Sequence, residues 1–184
     1  MRPINRGEAH KNKVFKHYSD ARDDLKLEWN NFLLACKTCN TIKNDKDIDE
    51  CIFPDTDNTA YAYKYTQTKV TTNPNMTKEE QILSQNSLDL IDINRQKNTK
   101  NRDDDRVIRS QEWNKAILSL QRYLKRPDKL MAEQIGVSPD GFISSWLEIF
   151  KDYPEVKEEI IKNTKGTALE CYDERFDPIK KLER

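Results

Sequence analysis

The sequence predicts an α+β protein, mainly helical, and three observations carry that expectation. Trp113, Ala116, Ile117, Leu120 and Leu124 recur at i, i+3, i+4, i+7 and i+11, the stripe of an amphipathic helix. Tyr61, Tyr63 and Tyr65 alternate with a period of two, as on a half-buried strand. Thr77 and Glu80 stand three apart, the spacing at which each side chain satisfies a backbone N–H at a helix start.

Taken in chain order, residues 1 to 26 are polar, with a helical look from Lys13 to Leu25. Trp29 to Ala35 is apolar enough to form a buried strand or turn. The polar, proline-free run after Cys39 suits a short helix to Lys46. A turn-rich stretch, Pro54 to Asn58, precedes the tyrosine strand, and Thr68 to Thr72 is placed to pair with it as a hairpin that Pro74 ends. From Thr77 the chain reads helical. Pro127 stops the Trp113 helix, and Ser138-Pro139 offers a cap and first-turn proline for a helix through Phe142, Trp146, Leu147 and Phe150. Pro154 opens another through Val156, Ile160 and Ile161. Three segments follow: 1–53, 54–76 as a hairpin connector, and 77–184 as a helical domain.

Composition narrows the function classes. Apolar and charged residues each make up 35% of the 184 residues, which predicts a thin core and a surface that leans on a partner. The 32 basic and 32 acidic residues cancel, so nucleic acid is not held by bulk charge; any such contact is local or shared with another subunit. No apolar run approaches the roughly 20 residues of a membrane span. Met1-Arg2-Pro3-Ile4-Asn5-Arg6 lacks the apolar core of a secretory signal, so the expected compartment is the cytoplasm, with no membrane partner. The 4 cysteines are then expected as metal ligands or buried thiols, not disulfides.

Cys36 and Cys39 form a CxxC, the bite of a zinc knuckle; the plainer alternative is two incidental cysteines on a turn. Structural zinc needs four ligands, and the other donors are Cys51, Cys171, His10 and His17. Nothing resembling a second knuckle surrounds Cys51. Cys171 lies in a helix-rich tail and is expected as a buried thiol. The chain thus supplies half a zinc site.

The run Trp29-Asn30-Asn31-Phe32-Leu33-Leu34-Ala35-Cys36-Lys37-Thr38-Cys39-Asn40-Thr41-Ile42-Lys43 resembles the second half of an HNH endonuclease motif. In that family a W-x-N-L-x-x-x-C-x-x-C-N-x-x-K run closes a ββα-metal fold. Met1-Arg2-Pro3-Ile4 and Tyr18-Ser19-Asp20-Ala21-Arg22-Asp23-Asp24-Leu25 are similar to the opening of PtuB-like nuclease subunits of Septu and retron-associated anti-phage defence systems. The Trp113 helix and the tail from Trp146 to Asp173 resemble that branch too, so the likeness spans most of the chain. It implies an HNH zinc-ribbon remnant in 1–53 and a partner-docking role for 77–184.

The sequence also departs from the branch. A first CxxC and a Glu-His-Ile, source of two zinc ligands and the general-base histidine, are expected before Trp29. Here Leu25 runs through Lys26 into Leu27-Glu28-Trp29. Either the block is deleted, or two stretches of a longer chain are joined, which the intact flanks favour.

The resemblance implies roles for the remaining residues. In the family mechanism a histidine activates water while a divalent ion, magnesium or manganese, stabilises the phosphorane and leaving oxygen. By motif position Asn31 pins the histidine loop and Asn40 ligates the magnesium; the plainer readings are a turn residue and a helix cap. Cys36 and Cys39 would bind structural zinc. Lys43 is a candidate phosphate contact or merely a solvated lysine, and Asn44 stands where relatives often carry glycine. Trp29 reads as packing. His17, beside Tyr18, falls outside the motif and has many bland uses.

Two further features carry weaker signals. Lys115, Arg122, Lys125, Arg126 and Lys129, opposed only by Asp128, form a basic segment that suits a phosphate backbone or, more plainly, a solvated helix face. The tyrosine row suits hairpin packing better than base stacking. The resemblance implies a PtuA-like ATPase partner, a retron reverse transcriptase with its RNA and DNA as a further partner, and DNA or alternatively tRNA as substrate. Two other classes remain: a catalytically inactive adaptor that docks on the ATPase, and a free-standing zinc-ribbon nucleic-acid binder.

Overall fold

A computed structural model describes residues 12–15, 32–35, 37–44, 46, 48, 50–95 and 105–181, and within them the chain is α+β and mostly helical. The first strand, β1 (Asn12–Phe15), pairs antiparallel with β2 (Phe32–Ala35) in the register Asn12↔Ala35 to Phe15↔Phe32. Helix α1 (Lys37–Lys43) follows β2 and packs against β1. Over Lys13 to Phe15 the strand replaces the helix expected from Lys13 to Leu25, and the rest of that span lies outside the described residues. The sequence of β1, Asn12-Lys13-Val14-Phe15, ends in a β-branched and an aromatic residue that suit a pleated surface, and pairing with Phe32–Ala35 overrides helical periodicity. The apolar run up to Ala35 is a strand, as one of its two readings expected.

The second hairpin is reached through a buried segment around Ile48, Cys51 and Ile52. Helix α2 (Thr59–Ala62) is capped by Asn58, whose Oδ1 accepts the N–H groups of Ala60 and Tyr61. Strand β3 (Tyr63–Tyr65) then pairs antiparallel with β4 (Val70–Thr72). Tyr61 therefore lies on a helix, not in the strand, because the Asn58 cap closes a turn over the first part of the alternating run.

Helix α3 (Lys78–Leu90) begins at the expected capping box: the Thr77 side chain accepts Glu80 N–H at 3.3 Å, and Glu80 Oε2 accepts Thr77 N–H at 3.0 Å. Leu88 and Met76 join Ile52, Ala62, Tyr63 and Val70 in one hydrophobic cluster, which draws on both sides of residues 53 and 76. Beyond α3, Asn94 acts as a substitute strand: its side-chain amide donates to Val70 O at 2.8 Å and accepts Val70 N–H at 2.9 Å.

The second cluster is built by α4 (Asp105–Lys125), α5 (Lys129–Gly136), α6 (Ile143–Ile149) and α7 (Pro154–Asn163). Ala116 and Tyr123 of α4 meet Ala132 and Ile135, Trp146 and Phe150, and Val156 and Ile160. Tyr123 meets Phe150 and Tyr153 edge to face, at centroid distances of 6.4 and 5.5 Å. Gly136 lets α5 and α7 touch; a Cβ there would lie 2.7 Å from Glu159 Cβ. Pro154 occupies the first turn of α7, as expected.

Ser138-Pro139 does not start α6. Ser138 turns back instead, its hydroxyl donating to Gln134 O at 2.7 Å beyond the end of α5, and α6 waits for Phe142, whose left-handed φ of 50° turns the chain. Leu124, counted in the α4 stripe, is 56% exposed; the buried face runs instead through Arg109, Glu112, Ala116 and Tyr123. Cys171 sits in a 3-10 turn (Leu169–Cys171) of an otherwise irregular tail and is half-buried. No helix among the described residues is long and apolar enough to cross a membrane.

Candidate functional site

The described motif residues, 32–35 and 37–43, lie on β2 and α1. Asn31, Cys36 and Trp29 lie outside the described residues, as do His10 and His17. Cys39, Asn40 and Lys43 stand at i, i+1 and i+4 on α1, so they share one side of the helix. Cys39 and Asn40 are half-buried. The Asn40 carbonyl accepts Asn44 N–H at 2.9 Å, and Asn44 adopts φ 50°, the left-handed closure expected of it. Neither contact uses the Asn40 side chain.

Lys43 departs from the solvated lysine of the plainer reading. It is 9% exposed, and its Nζ donates to Asn44 O at 3.2 Å, folding back over the end of α1. That arrangement stabilises the helix terminus, since an ammonium placed there meets carbonyls without intrahelical donors. Among the described residues, no group of three or more His, Cys, Asp and Glu is placed to hold a metal ion. Cys39 is one thiol and Asn40 one amide, so the described residues by themselves complete neither a zinc nor a magnesium site.

The basic segment is largely neutralised. Lys115 meets Glu112 at 2.6 Å and Asp140 at 3.1 Å, Arg126 pairs with Asp128, and Lys129 lies 3.8 Å from Glu133. Asp128 is thus not the sole opposing charge; helical spacing and the α5–α6 loop bring in three more carboxylates. Arg122 and Lys125 are exposed.

The tyrosine row packs. Tyr61 and Tyr65 flank the hairpin cluster, and buried Tyr63 donates its hydroxyl to Ser84 O at 3.4 Å. Burial pushes the Tyr63 phenol above its ordinary range, and does the same for Tyr65 against a lowering hydrogen bond with Ser144.

A feature invisible in the linear pattern is a cleft of ≈ 500 Å³ between β3, α6, α7 and the tail 172–178. Tyr65, Tyr172 and Phe176 give it aromatic walls, and Lys157 of α7 contributes to its lining. Lys157 is 2% exposed and pairs with Asp177. The tail is fixed by Asp173, whose Oδ1 accepts the N–H groups of Arg175 and Asp177, while Phe176 adopts φ 57°. Burial pushes the Tyr172 phenol up to about 12. The sequence signal for this cleft is the Asp-x-Arg-x-Asp spacing at 173, 175 and 177, which has no distinctive period.

No protein-family model matches the chain, and neither the curated proteins nor the solved structures provide a match.

Proposed function

We propose that the chain is an HNH-type endonuclease subunit that hydrolyses phosphodiester bonds of nucleic acid within a bacterial anti-phage defence complex. One observation supports this reading above the others: an antiparallel β1–β2 pair is followed at once by α1, and the motif Cys36-Lys37-Thr38-Cys39-Asn40-Thr41-Ile42-Lys43 falls at that strand-to-helix junction. This is the ββα order in which the family carries its metal-binding residues. Asn40 remains the magnesium-ligand candidate, Asn31 the loop-pinning residue, and Cys36 with Cys39 the zinc half-site. Magnesium or manganese would supply electrostatic stabilisation of the scissile phosphate. The backbone-directed Lys43 fits a role in shaping the end of α1 better than a phosphate contact.

The chain holds only two histidines, and His10 and His17 flank β1 in sequence. Both fall outside the motif, and the general base is expected in the Glu-His-Ile block that the branch carries ahead of the Trp29 run. The helical half, α4 to α7, would dock on a PtuA-like ATPase, with a retron reverse transcriptase as a further partner; DNA is the first substrate and tRNA the alternative. The absence of the Glu-His-Ile block favours one second reading, an inactive adaptor on the same ATPase.

Cleavage of supercoiled plasmid and of total tRNA by the chain with its ATPase partner, in magnesium and in EDTA, separates these readings. An active enzyme cuts one substrate only with metal. Asn40→Ala lowers the rate at least about tenfold while leaving the fold intact, and Cys36→Ser unfolds the zinc half-site. Partner binding without cleavage under every condition establishes the adaptor.

A further inference from the structure

We propose that the cleft between β3, α6 and the tail binds a mononucleotide, its phosphate at Lys157 and Arg175 and its base along Tyr172 and Phe176. This site is separate from the α1 motif and does not depend on the nuclease reading.

Its foundation is the hydrogen-bond state of Lys157. An ammonium carries three donors, yet among the described residues Lys157 Nζ has one acceptor, Asp177 Oδ1. Its side chain is 3% exposed, whereas that of Asp177 is 51% exposed. A buried ammonium with unused donors, lining an open cleft, calls for another acceptor, and an anionic oxygen supplies the strongest one.

Charge at the cleft points the same way. Lys64, Lys151, Lys157 and Arg175 line it against Glu148, Asp152 and Asp177. Asp177 is engaged by Lys157, and Glu148 lies 3.9 Å from Lys151. Among the remaining lining charges Lys64 and Arg175 stand against Asp152, one positive charge in excess, while Asp173, outside the lining, also acts on Lys157 and Arg175 and competes with an incoming phosphate. Arg175 offers the planar fork that binds one bidentately.

Size and surface chemistry select the remainder of the ligand. A volume of ≈ 500 Å³ lies within the usual range for small-molecule sites and exceeds what bare phosphate fills. Aromatic faces accept a base by stacking. Phenols that keep their protons to high pH remain donors at neutrality, and the Asp152 carboxylate can accept from ribose hydroxyls.

Isothermal titration with AMP, adenosine, ribose 5-phosphate and inorganic phosphate tests this assignment. AMP is expected to bind one per chain, with adenosine and inorganic phosphate at least about tenfold weaker. Arg175→Ala and Tyr172→Ala each weaken AMP by about three- to tenfold, and Lys157→Met by more than about tenfold. Circular dichroism establishes that each variant is folded; if Lys157→Met is not, the other two variants decide. No saturable AMP binding up to about 5 mM overturns the proposal. So does equal affinity for AMP and inorganic phosphate, which would mark an adventitious oxyanion contact, or AMP affinity untouched by both Arg175→Ala and Tyr172→Ala.

Discussion

Asn58 does more than its place in a turn-rich stretch suggests. Its Oδ1 caps α2, while its Nδ2 donates to Cys171 O at 2.7 Å and Ile179 O at 2.8 Å, and its backbone N–H reaches Lys181 O. It is 3% exposed, so its side chain makes these bonds away from bulk water. Asn58→Asp should cost about 2–4 kcal/mol in urea denaturation, more than Asn58→Ser, because a carboxylate would face two carbonyls with no donor between them. Glu112 is the second such residue. It is 4% exposed and accepts from the Trp146 indole at 3.0 Å, from Lys115, and from Asp140 N–H. Glu112→Ala is expected to destabilise by about 2–3 kcal/mol, with altered tryptophan fluorescence, since it leaves the buried indole N–H without its acceptor. Neither residue was legible in the sequence as a linchpin: each acts through partners distant along the chain, and only their short-range preferences show in a linear pattern.

Titration also belongs to this scale. Burial, then the hydrogen bond to Glu155, pushes the Tyr123 phenol from 10.0 up to about 12, and burial does the same to Tyr172. Below pH 10 both phenols are protonated in folded and unfolded chains alike, so their contribution is fully present. Between pH 10 and 12 the unfolded chain releases these protons first, and stability falls as pH rises through that window. Urea midpoints should therefore drop above pH 10, and Tyr123→Phe should flatten the drop. An unchanged slope in that variant would remove Tyr123 from the effect.

At the scale of elements, the sequence showed best those features that are local. The Thr77–Glu80 box, the first-turn Pro154 and the β3–β4 hairpin all rest on neighbours within a few residues, and all are present. The features that misled were those decided by tertiary contact. β1 forms because β2 offers it a partner, and Ser138 closes α5 instead of opening α6 because Phe142 turns the chain first. Helix α5 gave no separate signal, being short and crossed by charged residues, and its core role depends on Ala132, Ile135 and Gly136 meeting α7. Gly136→Ala should destabilise by about 1–3 kcal/mol, because the added methyl would press on Glu159 backbone as well as its Cβ, and backbone does not yield cheaply.

At the scale of the molecule, the tail from Leu169 to Lys181 ties the hairpin cluster to the helical cluster. Asn58 holds two of its carbonyls, Lys157 holds Asp177, and Glu80 holds Lys180 at 2.7 Å. Removing residues 169–184 should lower the thermal midpoint by roughly 5–15 °C and broaden the transition, because both clusters lose partners at once. The candidate nuclease site was legible as a motif, Cys36 to Lys43, since its identity rests on side-chain spacing. Of that motif the described residues place Cys39, Asn40 and Lys43 on α1.

The most direct test of the proposed nuclease function is plasmid cleavage by the chain together with the proposed PtuA-like ATPase, scored with and without magnesium, for the parent and for Asn40→Ala. The account predicts nicking or linearisation by the parent that EDTA abolishes and that Asn40→Ala reduces at least about tenfold at unchanged thermal midpoint. Equal cleavage by Asn40→Ala and the parent, or cleavage that persists in EDTA, would contradict it.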